Sequence, residues 1–245
     1  MRIELRAVSK SYGALRALDR ASLEIQPGQV VAVIGANGAG KTTLLRCLAG
    51  IAAPDQGLVY YDDEPFRRDR LDLRRRLHFL PDFPFLMWEL TTLQHLGMML
   101  RVYGAEAADV DERVIELLRD FDLLPLATKP LQTLSRGQMY KVALAGLMAV
   151  DPELWLLDEP FASGMDPHGL EAFRRQAGTA ARMRGRTVIY TTQILEVAER
   201  FADRVCVLHG GEVRAFETLA RLRELNPGGS GPLEAIFRQL RQEGG

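Results

Sequence analysis

Apolar positions along this chain follow two periods, and the switch between them divides it into parts. Ile3–Val8 and Ser22–Ile25 mix apolar and polar residues roughly in alternation, which predicts half-exposed antiparallel strands. Beyond the turn dipeptide Pro27-Gly28, Val30–Ile34 is apolar throughout, as a strand covered on both faces would be. Leu58–Tyr61 and Leu77–Leu80 predict further short strands, with Arg67–Arg76 a charged, solvated segment between them. From Thr92 to Val150 the apolar residues take helical spacing, which predicts helices over Leu93–Val102, Val110–Phe121 and Gln138–Val150. Strand patterns return at Leu154–Leu157, Thr187–Thr191, Val205–Leu208 and Glu212–Phe216, with a helix over Leu170–Arg184 among them. The expected architecture is an α/β core with an antiparallel β portion, interrupted by an all-helical block at about residues 83–149. Pro227-Gly228-Gly229-Ser230-Gly231-Pro232 reads as a linker to a last helix, Leu233–Leu240, within about residues 232–241. No internal repeat is visible.

Composition narrows the possibilities. A chain of 245 residues can bury a sizeable core, as one large α/β domain or two small ones; the pattern is read as one domain over 1–245. Its 31 basic and 32 acidic residues leave a formal net charge of −1, so the chain as a whole offers no electrostatic case for nucleic acid. Cys47 and Cys206 sit in apolar surroundings with no second pair to make a metal site, and read as reduced thiols of a cytosolic protein. No apolar run approaches the roughly 18 residues that a membrane span needs. Met1-Arg2-Ile3-Glu4-Leu5-Arg6 lacks the apolar core of a signal peptide, so a cytosolic location is expected.

Chemistry enters at Gly35-Ala36-Asn37-Gly38-Ala39-Gly40-Lys41-Thr42, which fits the phosphate-loop pattern G-x-x-x-x-G-K-[ST] between a buried strand and a helix starting at Thr43. Glycines there let backbone N–H groups close around phosphate oxygens, aided by the positive end of the helix. Lys41 is expected to reach the β- and γ-phosphates of a bound nucleotide, and the Thr42 hydroxyl to sit on Mg2+. Leu154-Trp155-Leu156-Leu157-Asp158-Glu159 is an apolar strand ending in two acids. Beside a phosphate loop, Asp158 is expected in the Mg2+ shell, and Glu159 is placed to orient or deprotonate the water that attacks the γ-phosphate.

Leu134-Ser135-Arg136-Gly137-Gln138 opens a predicted helix between those two motifs, and it resembles the L-S-G-G-Q signature of the ATP-binding cassette family, with Arg136 in place of one glycine. The resemblance extends over nearly the whole chain. Tyr12 lies where the family stacks adenine, Ser163-Gly164-Met165-Asp166 looks like the loop that crosses the dimer interface, and Val205–Val213 is similar to the closing hairpin. Leu233-Glu234-Ala235-Ile236-Phe237 resembles the tail of bacterial exporter subunits and suits a generic amphipathic helix equally well. Two positions depart from the family pattern. Asp82 stands where glutamine is usual; it can still accept from a metal-bound water. Gln193 stands where histidine usually meets the γ-phosphate, and an amide can donate there but cannot carry charge.

The resemblance implies two subunits, alike or different, closing head to tail around two ATP molecules. The phosphate loop of one would face Ser135, Gly137 and Gln138 of the other. It also implies a separate transmembrane subunit as partner, most simply in an exporter, with this chain held peripherally on the inner face of the membrane. Phe79–Trp88 serves either a groove for that partner's helix or ordinary core packing. Two other functions stay open. A soluble cassette ATPase acting on nucleic acid or ribosomes usually has tandem cassettes or long coiled coils, which are missing here, and Gln193 leaves room for a regulatory subunit with weak hydrolysis.

Overall fold

The computed structural model describes residues 1–67, 69–105, 109–162, 164–225 and 233. Its first hairpin runs further than the alternation predicts: β1 (Ile3–Tyr12) pairs antiparallel with β2 (Leu15–Ile25), where Val8 and Ser22 were the expected limits. The register slips between Leu5 and Val8, between Val8 and Lys10 and between Lys10 and Ser11, with Ala7 and Arg20 at φ of 49° and 46°. Bulges of this kind shift side chains between faces and erase the period of two on which the sequence reading depends. β3 (Val30–Ile34) leads into α1 (Lys41–Leu48), and β4 (Gln56–Tyr61) with the two-residue β5 (Glu64–Pro65) completes a four-stranded antiparallel sheet in the order β2-β1-β4-β5. The Arg67–Arg76 segment is not wholly solvated: α2 (Leu71–Arg75) forms within it and buries Leu73 before β6 (Leu77–Leu80).

The helical block is α3 (Thr92–Tyr103), α4 (Val110–Asp120) and α5 (Arg136–Val150), with no regular helix between Phe83 and Thr91. Thr91 with Gln94 and Ser135 with Gln138 form reciprocal capping boxes that fix where α3 and α5 begin. β7 (Leu154–Leu157), α6 (Pro167–Arg184), β8 (Thr187–Thr192), α7 (Leu195–Phe201), β9 (Arg204–His209), β10 (Glu212–Thr218) and α8 (Leu219–Leu225) follow. The seven-residue α7 is too short to show a helical period in the sequence. Ser163, the linker and the tail helix beyond Leu233 lie outside the described residues.

The second sheet has the order β10-β9-β3-β8-β7-β6, parallel except for β10. Its central strands are apolar throughout because both faces are covered. Val30, Ala32, Ile34, Trp155, Leu157, Val188 and Tyr190 face a core shared with the helices. Val31, Val33, Leu154, Leu156 and Ile189 face a second core shared with α1 and the antiparallel sheet. Sandwiched in this way, the carboxyl ends of β3, β6, β7 and β8 lie side by side, and the phosphate loop, Asp82, Asp158, Glu159 and Gln193 follow them at that edge.

Trp155 is fully buried and its Nε1 donates to Pro152 O at 3.0 Å. Trp155→Ala is expected to cost about 3–5 kcal/mol in urea unfolding. A cost under about 1 kcal/mol would contradict its place in a packed core.

Candidate active site

The loop after β3 is shaped by close approaches that only glycine permits. A Cβ at Gly35 would lie 2.4 Å from Leu208 O, and one at Gly40, whose φ is 103°, would lie 2.2 Å from Ala17 O. The loop is therefore pressed between β9 and β2. Backbone bonds tie it down: Ala39 N donates to Ala36 O at 3.1 Å, Gly211 N to Ala39 O at 3.1 Å and Asp19 N to Gly211 O at 2.9 Å. Lys41 opens α1, 6% exposed, and its Nζ donates to Gly35 O at 2.9 Å and Ala36 O at 3.3 Å. The same ammonium lies 3.3 Å from Glu159 Oε1.

Asp158 and Glu159 extend from β7. Asp158 is 4% exposed, and its Oδ1 accepts from Thr191 Oγ1 at 2.7 Å. The Thr191 hydroxyl in turn accepts from Glu159 N at 2.8 Å. Glu159 sits at φ 47°, in the left-handed region that a residue with a Cβ seldom adopts, and this turn brings its carboxylate to Lys41. Gln193, just past β8, places Nε2 3.5 Å from Glu159 Oε1, at the outer limit of a hydrogen bond.

These groups border one cleft of about 520 Å³, within the usual range for a small-molecule site. Tyr12, Asn37, Gly38, Ala39, Gly40, Lys41, Thr42, Thr43, Asp82, Asp158, Glu159 and Gln193 all line it. Gly35 and Ala36 are not among its lining residues; their carbonyls accept from Lys41 Nζ. Tyr12 is 45% exposed at the end of β1 and offers a ring face for stacking. Asp82 lines the cleft while its Oδ1 accepts from Phe83 N at 2.8 Å.

Ser135, Gly137 and Gln138 are not among the cleft's lining residues. They form the first turn of α5, where Ser135 N donates to Gln138 Oε1 at 2.9 Å and Gln138 N to Ser135 Oγ at 3.3 Å. A Cβ at Gly137 would lie 2.8 Å from Gly164 O, so this turn packs directly on the loop after β7. Lys141 and Asp166 join the same two segments at 2.7 Å, while the other Asp166 oxygen caps α6 through Gly169 N.

Leu15, Ala17, Arg46 and Ala162 also border the cleft, without any signal in the sequence. Thr191 was readable only as the end of a strand; a hydroxyl there, beside an acid-ended strand, was the available clue. Tyr140 on α5 was also missed. It is fully buried and its hydroxyl has no partner among the described residues. Burial, and then the charges of Asp158, Asp82 and Glu159, hold this phenol well above its usual pKa.

Thr42, Asp158 and Asp82 present hydroxyl and carboxylate oxygens to one cleft, a donor set that suits Mg2+. Among the described residues no cluster of three or more His, Cys, Asp or Glu side chains could hold a metal alone. A cation here therefore needs oxygens from the substrate's phosphates and water.

Known proteins share this construction. Residues 18–162 match a family model described as ABC transporter. The chain is 31% identical over 241 residues to the ABC-type transporter ATP-binding protein EcsA of Bacillus subtilis, covering 98% of this chain and 97% of that one. It is 34% identical over 245 residues to the daunorubicin resistance ATP-binding protein DrrA3 of Streptomyces coeruleorubidus, covering 99% and 75%. It is also 34% identical over 222 residues to a sulfate/thiosulfate import ATP-binding protein, CysA 2, of Rhizobium meliloti, covering 89% and 60%. Among solved structures, an ATP-binding subunit of an ABC transporter superposes with a TM-score of 0.90 at 29% identity, over 98% of this chain and all of that one. A dimeric cassette, MJ0796, in a post-hydrolysis state with ADP and Pi superposes with a TM-score of 0.75 at 28% identity, over 88% and 98%. With the loop, the acidic strand and the α5 turn standing as described, the chain belongs to the ABC transporter family and is an ATP-binding, ATP-hydrolysing subunit of that family.

Proposed function

We propose that this ATPase drives a separate transmembrane subunit, in the direction of export, through cycles of ATP binding and hydrolysis by two cassettes. The observation that carries the catalytic part is the convergence of Lys41, Asp158, Glu159 and Gln193 on one cleft. Loop N–H groups and Lys41 bind the triphosphate, and Tyr12 stacks against adenine. Mg2+ held by Thr42 and Asp158, with Asp82 accepting from its water, would neutralise charge on the β- and γ-phosphate oxygens. Glu159 orients the attacking water and takes its proton, while the Gln193 amide donates to the γ-phosphate. Lys41 faces both the phosphate position and Glu159, so binding of the triphosphate competes for the ammonium that holds the carboxylate.

Ser135, Gly137 and Gln138 are proposed to meet the phosphates bound by a second cassette, which suits their place away from their own cleft, with Ser135 exposed and Gly137 and Gln138 half-buried. The Phe79–Trp88 segment divides in a way that supports docking. Leu80 and Leu86 are core residues, whereas Phe83, Phe85, Met87 and Trp88 stay exposed, Phe85 to 86%. Phe85–Leu90 and Met98 line an apolar groove of about 390 Å³, which suits an apolar helix of the membrane subunit. No helix among the described residues is long and apolar enough to cross a membrane, so the proposed spans belong to the partner, which would hold this chain at the inner face. Export is proposed from the likeness to the drug-resistance subunit, which extends over 99% of this chain. Inverted membrane vesicles carrying this chain and its partner should accumulate substrate on ATP addition if the direction is export. ATP-driven loss of preloaded substrate would reverse it.

Two substitutions separate binding from chemistry. Lys41→Ala is expected to lose both nucleotide affinity and turnover, since the buried cation facing the phosphates is gone. Glu159→Gln should bind a fluorescent ATP analogue normally and turn ATP over at least ~100-fold more slowly. Undiminished turnover in Glu159→Gln would remove Glu159 from the role of base.

A further inference from the structure

We propose that Thr191 is a positioning residue for ATP hydrolysis: its hydroxyl orients the Asp158 carboxylate and pins the backbone turn that aims Glu159 at Lys41. A hydroxyl has one hydrogen to donate and lone pairs to accept with. Thr191 uses both on the acid pair, donating to Asp158 Oδ1 at 2.7 Å and accepting from Glu159 N at 2.8 Å. Its side chain is fully buried, so no solvent molecule substitutes readily for either bond. Donation to Oδ1 restrains the carboxylate through one oxygen, in a residue that lines the cleft. The bond from Glu159 N acts on the backbone instead. Left-handed geometry at a residue with a Cβ persists only where its surroundings over-determine it. At Glu159, with φ 47°, the Thr191 bond and the bond from Ala162 N to Glu159 O at 3.0 Å supply that constraint. Gln193, just past the same strand, approaches the Glu159 carboxylate at 3.5 Å from the same side.

The proposal rests on the roles given to Asp158 and Glu159, and its test keeps the two apart. Thr191→Val preserves shape and removes both bonds; Thr191→Ser preserves the bonds and removes a methyl. Both are compared with Glu159→Gln and the natural protein for kcat, KM for ATP, unfolding midpoint, and affinity for a fluorescent ATP analogue with Mg2+ and with EDTA. Thr191→Val should lower kcat by about ten- to hundred-fold, the size expected for a lost bond to a charged group, with KM changed less than about three-fold. The gain in nucleotide affinity that Mg2+ gives should shrink in the same variant. Thr191→Ser should restore kcat to within about three-fold of natural even if its unfolding midpoint falls, because the hydroxyl and not the packing sets the rate. If Thr191→Val does not fold, Thr191→Cys, close in size and a poor donor, takes its place and should also be slow. Natural turnover in Thr191→Val or its Cys stand-in, or a Thr191→Ser as slow as either, overturns the proposal. Natural turnover in Glu159→Gln overturns the base assignment instead, whereas an inactive Glu159→Gln beside a fully active Thr191→Val overturns only the role of Thr191.

Discussion

The architecture of the cleft depends on one buried cation. Lys41 is 6% exposed, and an ammonium so far from water is costly unless its hydrogens find acceptors. It finds two, the carbonyls Gly35 O and Ala36 O of its own loop, and the carboxylate of Glu159 lies 3.3 Å away as its ion-pair partner. The loop must curl to present those carbonyls, which is why Gly35 and Gly40 approach neighbouring backbone too closely for any side chain. Glu159 leaves its strand in a left-handed turn that brings its carboxylate into ion-pair range of Lys41. One electrostatic requirement thus shapes both motifs, although they lie far apart in the chain.

That requirement is met because the strands carrying both motifs are fixed from each side. β3, β7 and β8 are neighbours in register, with Ile34 beside Thr192 and Leu157 beside Tyr190, and each strand sends alternate side chains into two separate cores. Displacing a strand end would therefore disturb close packing on both faces. The first turn of α5 is secured differently. Gly137 packs on Gly164, and Lys141 pairs with Asp166, so this turn and the loop after β7 are linked within one chain. In the proposed dimer, both would face the second cassette, and a change at one would be passed to the other through contacts already present.

Much of this was legible in the sequence where one residue type has one physical use. The phosphate loop and the acid pair are local, and glycine, lysine and aspartate announce them; the capping box of Thr91 and Gln94 is equally local but went unread, and α3 was expected to begin at Leu93. The uniformly apolar run at Val30–Ile34 gave a doubly covered strand correctly. The pattern failed where geometry breaks it: bulges hid the outer halves of β1 and β2, and α2 and α7 are too short to show a period. Thr191 and Tyr140 were illegible for another reason. Their parts depend on which carboxylates lie across the strand ends, and that follows from the strand order β8-β7-β6, which no local pattern records. The fate of Phe79–Trp88 likewise required burial, since Leu86 and Phe85 look alike in composition and differ wholly in exposure.

The central proposal is that ATP joins two cassettes, most simply two copies of this chain, each completing the other's cleft with Ser135, Gly137 and Gln138. A cysteine pair, Asn37→Cys on the phosphate loop and Arg136→Cys in the α5 turn, tests this directly in a Glu159→Gln background; both positions are exposed. The natural thiols do not compete, because burial raises Cys47 to about 11 and Cys206 to about 12. With ATP and Mg2+, mild oxidation should yield a disulfide-linked dimer that is scarce without nucleotide. Cross-linking that ignores ATP, or a chain that stays monomeric at saturating ATP, would contradict a site shared between two copies.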